Sequence, residues 1–455
     1  MNSTLAKTRN YVFAIVVLTG CSGLFLSSGR AAPTSRMQRR NSVPVAYDQT
    51  IGVSLNSPAK DITLNASDAD GNPLSFMIVS APTHGSVSQV NGNLWQYTRT
   101  VNYQGADSFT FKVNDGMSDS NVATVGIVNA PHGIFQLTGG TPWQTNPNVD
   151  GLHLGIRWSA IAVTDDPSRW KWNSIDSQLQ TAALNHKQVG ISLKILSDPP
   201  AWLETTYGVP RYLVPKDGGN DFLMVLPWDP IVKEKVNQFI SELGHHITSA
   251  RYGSLPLDGT AAFIIMGGLG IQTETHMPAP TTTTPHIPDP NNPSSDLSIE
   301  GELALWQQTS KDYIATYAAN FHVTPYIMAG SIPIDEDVPD STTYLTDVFC
   351  YSIGANSSDC VGTGYEGFGA LFGVMQWGLN ENSSTDFIVN EWVSTNSPTN
   401  STGFQFGSAY GGVIDPSPVL DRAVEMNAHF VEVYPVDADG VYATTIHSYS
   451  SQLKW

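Results

Sequence analysis

A chain of 455 residues is too long for one ordinary small domain and suits two. Hydrophobic residues make up 41% and aromatics 10%, enough for a sizeable core, which argues against global disorder. The formal net charge of −19 argues against nucleic acid and anionic membrane surfaces as partners, because a polyanion is repelled.

The N-terminus, residues 1–32, reads as an export signal. Lys7 and Arg9 precede an apolar run, Tyr11 to Leu18, too short to span a bilayer. Leu18-Thr19-Gly20-Cys21 then resembles a bacterial lipobox, in which cleavage before Cys21 frees its thiol for a lipid. The other reading cuts after Ala31 or Ala32 as an ordinary secretory signal. Both export the chain, to a lipid-anchored place in the cell envelope or to the medium, and membrane contact is expected only through that lipid. Cys350 and Cys360 are the other cysteines. In an oxidising compartment two cysteines in one loop favour a disulfide over free thiols, and neither has zinc-site spacing. Residues 33–43 are polar and basic and read as a tether.

Residues 44–130 carry short alternating runs (TIGVSL, DITLNA, LSFMIVS, GSVSQV, LWQYTR, DSFTFKV, ATVGIV) broken by Asn-Gly, Asp-Gly or proline. This period of two predicts an all-β sandwich. The segments Asp68-Ala69-Asp70-Gly71-Asn72-Pro73, Pro82-Thr83-His84-Gly85 and Tyr103-Gln104-Gly105-Ala106-Asp107-Ser108-Phe109 resemble the bacterial cadherin-like and Ig-like repeat domains. That resemblance implies a spacer or adhesion unit. Carboxylates two apart suit a hard cation, which makes Asp68, Asp70 and Asp107 candidate ligands for Ca²⁺. The same Asp and Gly residues also suit a plain turn.

From residue 131 to 455 strands alternate with helical stretches, which predicts an α/β (β/α)8 barrel. The expected strands are 133–137, 152–158, 189–196, 262–271, 324–329, 371–377, 403–408 and 430–434. The expected helices are 172–185, 230–247, 299–320, 341–351 and 417–427. Residues 277–298 form a long Pro/Thr loop after the fourth strand.

In such barrels chemistry sits at the C-terminal ends of strands. Those ends supply Arg157 and Trp158, then Trp202, Gln376, Trp377 and Asn380, then Gln405 and Tyr410, and last Tyr434. Aromatic faces stack on pyranose rings and amides take hydroxyls, so these are candidate carbohydrate-binding residues. The succession G-I-R-W (155–158), P-P-A-W-L (199–203), P-W-D-P (227–230) and a strand closing on Glu274 resembles the clan A glycoside hydrolases, nearest to their beta-galactosidase-like members. That resemblance implies retaining hydrolysis by two carboxyl groups, with the acid/base at strand four, matched by Glu274, and the nucleophile at strand seven. The chain departs from this pattern twice. Thr273 replaces the usual Asn before Glu274, and the strand-seven stretch Gly403 to Tyr410 holds no carboxylate.

Glu432, alternating with Val431 and Val433, is expected to point into the barrel, where a charge needs a partner or a task. Glu381 is a further candidate from its loop. Glu391 imitates the family's Asn-Glu pair, but its neighbours have helical spacing. No G-x-S-x-G, P-loop or H-E-x-x-H occurs, and no cofactor is expected for the barrel. Two functions stay open: a glycoside hydrolase acting on a glycan, and a non-catalytic carbohydrate-binding or adhesion lipoprotein with a degenerate site.

Overall fold

The computed structural model describes residues 41–53, 59–101, 103, 107–140, 142–214, 222–252, 255–257, 260–268, 288–289, 292–321, 326–330, 372–379, 402–406 and 409–453. Cys21, Cys350, Cys360, Glu274, Asn380, Glu381 and the helix expected at 341–351 lie outside them.

Seven strands build the sandwich: β1 (Gln49–Val53), β2 (Lys60–Thr63), β3 (Ser75–Ser80), β4 (Gly85–Asn91), β5 (Leu94–Arg99), β6 (Asp107–Asn114) and β7 (Ala123–Asn129). One sheet has the order β1-β7-β6-β3 and the other β2-β5-β4. Alternation decides which side chains are buried. On β6 it sends Phe109, Phe111 and Val113 inward, and on β7 Ala123, Val125 and Ile127. They meet Trp95 and Tyr97 of β5 in a single core.

Asp107 opens β6 with both carboxylate oxygens engaged. Oδ1 accepts the Thr83 and Ser108 amides, and Oδ2 accepts the His84 amide and the Tyr97 hydroxyl at 2.9 Å. The tyrosine's own proton is held more tightly for it: burial first, then the bond to Asp107, raise the Tyr97 pKa. Asp68 Oδ1 accepts the Asp70 and Asn72 amides, closing the DADGN turn on its own backbone, and Asp70 Oδ2 accepts the Ser42 amide. The expected Ca²⁺ ligands Asp68, Asp70 and Asp107 thus each accept backbone donors. Among the described residues no three acidic, histidine or cysteine side chains converge as a metal site, while Asp68 Oδ2 is buried and accepts no hydrogen bond.

The second sheet is parallel and closed: β8 (Gly133–Leu137), β9 (Gly151–Arg157), β10 (Gln188–Lys194), β11 (Ala261–Ile265), β12 (Tyr326–Gly330), β13 (Phe372–Leu379), β14 (Thr402–Phe406) and β15 (Phe430–Val433) pair in that order, and β15 pairs back to β8. Described crossovers include α1 (Asn173–Leu184), α2 (Pro230–Ser249), α3 (Ile299–Asn320) and α4 (Ser417–Glu425). The fourth strand is shorter than expected from sequence. The apolar run continues past Ile265, but Gly268 takes φ +90°, which ends extended backbone.

Each long helix starts where its first residues satisfy the open amides. Asp229 accepts the Ile231 and Val232 amides ahead of Pro230, and Ser298 accepts the Gly301 amide. The two helices then run side by side in step. Lys233 meets Asp312, Asn237 meets Thr316 and Ser241 meets Asn320, each pair 79 residues apart. Measured from the first pair, α3 begins about ten residues before α2, some ~15 Å of extra helix.

An aromatic layer fills the barrel's lower interior. The rings of Phe135, Phe263 and Phe430 lie 4.7–5.7 Å apart by centroid. Glycines make the room: a Cβ at Gly151, Gly190 or Gly403 would stand 2.5 Å or less from the ring of Phe135, Phe263 or Phe430 respectively.

Candidate active site at the barrel mouth

Two residues above several floor positions the interior turns polar, while Ile265, two past Phe263, stays with the apolar floor. Gly151, Gly190 and Phe430 give way to His153 on β9, Ser192 on β10 and Glu432 on β15, because strand side chains on one face recur every second residue. These three touch. His153 Nδ1 lies 2.7 Å from Glu432 Oε2, and His153 Nε2 lies 2.6 Å from Ser192 Oγ. Glu432 is completely buried, and Gln405 is its partner in the pairing of β14 with β15. Among the described residues Oε1 of Glu432 and Oε1 of Gln405 accept no hydrogen bond. A buried acceptor without a donor costs about 1–3 kcal/mol, so this layer is held in place by the barrel rather than holding the barrel together.

Above this layer the lumen opens. Gly155 is exposed, and a Cβ placed on it would meet only Ser192 Oγ within 4 Å, at 3.8 Å. Arg157 ends β9 with 68% of its side chain exposed, its Nε 3.3 Å from Asp198 Oδ2. Asp198 is fixed in turn by the Ser159 hydroxyl at 2.6 Å. Lys194 ends β10, half-buried, directly paired with Arg157.

The other sequence candidates divide. Trp158 is corrected: it is fully buried, packed against Trp202 and Phe239, so it offers no face to a sugar. The strand ends at Arg157, and Trp158 opens a short helix, Trp158–Ile161, that turns it onto α2. Trp202 is half-buried and its indole N–H donates to the Ala162 carbonyl at 2.7 Å, which commits its polar edge. Tyr410 is half-buried, edge-on to Phe406, with its amide bonded to Asp437. Tyr434 closes the eighth strand, half-buried against the barrel core. Gln376 and Trp377 lie on β13.

Sequence reasoning did not single out His153, Ser192, Lys194 or Glu302. For His153 a signal existed: a histidine amid Leu152 and Leu154, at the parity opposite to the apolar neighbours. Glu302 sits in the second turn of α3, buried, and burial pushes its carboxyl up to about 7.

Compared with known proteins, residues 41–128 match the family model of a bacterial Ig domain. No curated protein matches the chain. Solved structures that align include a Bacteroides ovatus GH5 xyloglucanase in complex with a XXXG heptasaccharide, at 9% identity over 89% of this chain and 97% of that one, TM-score 0.30. The beta-galactosidase from Rahnella sp. R3 aligns at 12% identity over 71% and 56%, TM-score 0.38. The endo-fucoidan hydrolase MfFcnA4 from glycoside hydrolase family 107 aligns at 25% identity over 19% of this chain, which spans 13% of that one, TM-score 0.15. At such scores these likenesses carry no argument about chemistry.

Proposed function

We propose that the protein is an exported enzyme whose (β/α)8 barrel hydrolyses O-glycosidic bonds of a glycan with carboxyl groups from its strands and strand ends, Glu432 among them beneath the mouth, the Ig-like module serving as spacer. The observation that carries this reading is the fully buried Glu432, set inside the ring of strands with its Oε2 2.7 Å from His153 Nδ1. Burying a carboxylate costs several kcal/mol unless it is paired, and a fold keeps such a group where it has a partner and a task.

In this reading Glu274, which follows the fourth strand in the sequence, is the acid that protonates the leaving oxygen. Glu432 acts on the other side of the anomeric carbon, and His153 fixes its orientation. A spacing of about 5–5.5 Å between the two carboxyls makes the enzyme retaining, and about 6.5–9.5 Å makes it inverting. The test is turnover of chromogenic glycosides by the full chain and its Glu274→Gln and Glu432→Gln variants. Each exchange is expected to cut kcat at least about a hundredfold with the fold intact, in line with the loss of a positioned acid or base. Unchanged turnover in both removes the assignment.

A second reading, a glycan-binding protein without catalysis, is favoured by Gln405. It stands on the seventh strand, where clan A enzymes carry their nucleophile, and a neutral amide is a poor nucleophile at carbon. Saturable glycan binding by a chain that turns over no glycoside supports this second reading.

A further inference from the structure

We propose that the mouth selects glycans bearing an anionic group, a carboxylate or a sulfate ester, through Arg157 and Lys194. The inference rests on the reading of the mouth as a glycan site and names the class of glycan it takes.

The contact of His153 with Ser192 fixes which face of β9 and β10 looks into the lumen. Counting by twos, that face carries His153, Gly155 and Arg157 on one strand and Ser192 and Lys194 on the next. Arg157 and Lys194 are paired across the ladder, so their backbones stand one strand spacing apart, about 4.8 Å. Two cations are thus set side by side at the rim of a chain that has 41 acidic residues against 22 basic ones. The exposed Gly155 beside them leaves the lumen wall bare.

Among the described residues one carboxylate, Asp198, meets the pair, and it meets Arg157 alone. Asp198 takes the Arg157 Nε edge at 3.3 Å and is itself held by Ser159, which anchors the guanidinium and leaves its two terminal nitrogens for another acceptor. Glu432 lies a layer deeper, against His153. Lys194 has no side-chain hydrogen bond or ion pair among the described residues. Neighbouring cations repel, and an anion placed between them turns that repulsion into attraction on both sides. A guanidinium fork matches the paired oxygens of a carboxylate or sulfate, and the ammonium adds a point charge.

The test is calorimetric titration of the full chain with three β-linked hexasaccharides: one neutral, one carrying uronate carboxylates, one carrying sulfate esters. At least one anionic ligand is expected to bind tenfold or more tightly than the neutral one, and to lose that margin as salt rises. The two anionic arms tell carboxylate from sulfate as the source. Arg157→Gln and Lys194→Gln are each expected to weaken the preferred anion about tenfold, and the double variant to reduce it to the neutral level. Lys60→Gln, on the sandwich, is the control for net charge. Equal binding of all three glycans, a preference that survives in the double variant, or no binding of any glycan overturns the proposal. Because the readout is affinity, failure of the Glu432 assignment shows separately, as unchanged turnover in Glu432→Gln.

Discussion

Asp107 illustrates how one carboxylate can organise a loop. It draws in two backbone amides from the Thr83–His84 turn, its neighbour's amide and the Tyr97 hydroxyl, so the turn, β5 and β6 share one acceptor. Tyr97→Phe removes a single bond and is expected to cost about 1 kcal/mol, whereas Asp107→Ala strands several donors and is expected to cost about 3 kcal/mol or more. Denaturant melts of the two variants give the comparison. Calcium is expected to leave the midpoint where it is, and a midpoint that climbs with millimolar calcium would contradict the role given to Asp107. The sequence made these residues stand out, but an acidic pair on an irregular segment looks the same whether it faces a cation or its own backbone. The amides of Thr83 and His84 that Asp107 accepts come from a segment more than twenty residues earlier, which no local pattern displays.

Elements were more legible than side-chain roles. The helix at Ile299–Asn320 begins and ends where the sequence predicts, because Ser298 caps one end and the apolar spacing runs unbroken to the other. The eight strand positions could be read because buried parallel strands are short runs of aliphatic residues. Which neighbours pack against which glycine is not visible in such runs, since it depends on strands far apart in the chain. Gly190 and Phe263 are one such pair. Gly190→Ala forces a methyl group onto the ring and is expected to cost about 1–3 kcal/mol, and Phe263→Leu in the same chain should recover part of that loss. A double-mutant cycle with no coupling between the two positions would count against the packing described for the floor. The site was legible in part for the same reason. Alternation along Phe430–Val433 turned Glu432 inward, but its histidine partner comes from a strand nearly 280 residues earlier.

At the scale of the whole molecule, two buried groups pull stability in opposite directions with pH. Burial holds His132 down at about 4, against an ordinary 6.5, so between those values the unfolded chain binds more protons and stability rises with pH. Burial lifts Glu302 from 4.5 to about 7, so there the folded chain keeps its proton longer and stability falls as pH rises. Each effect is worth up to about 3 kcal/mol, and they offset where the windows overlap. Relative to the unaltered chain, Glu302→Gln should therefore gain stability as pH climbs from 4.5 to 7. His132→Gln should gain it as pH drops from 6.5 to 4. Denaturation midpoints across pH 4 to 7.5 for the three proteins check both signs, and parallel curves would refute them.

The plug of three phenylalanines has a consequence for traffic. Among the described residues these rings stopper the base of the barrel, so on the proposed reading a glycan comes and goes by the opposite end.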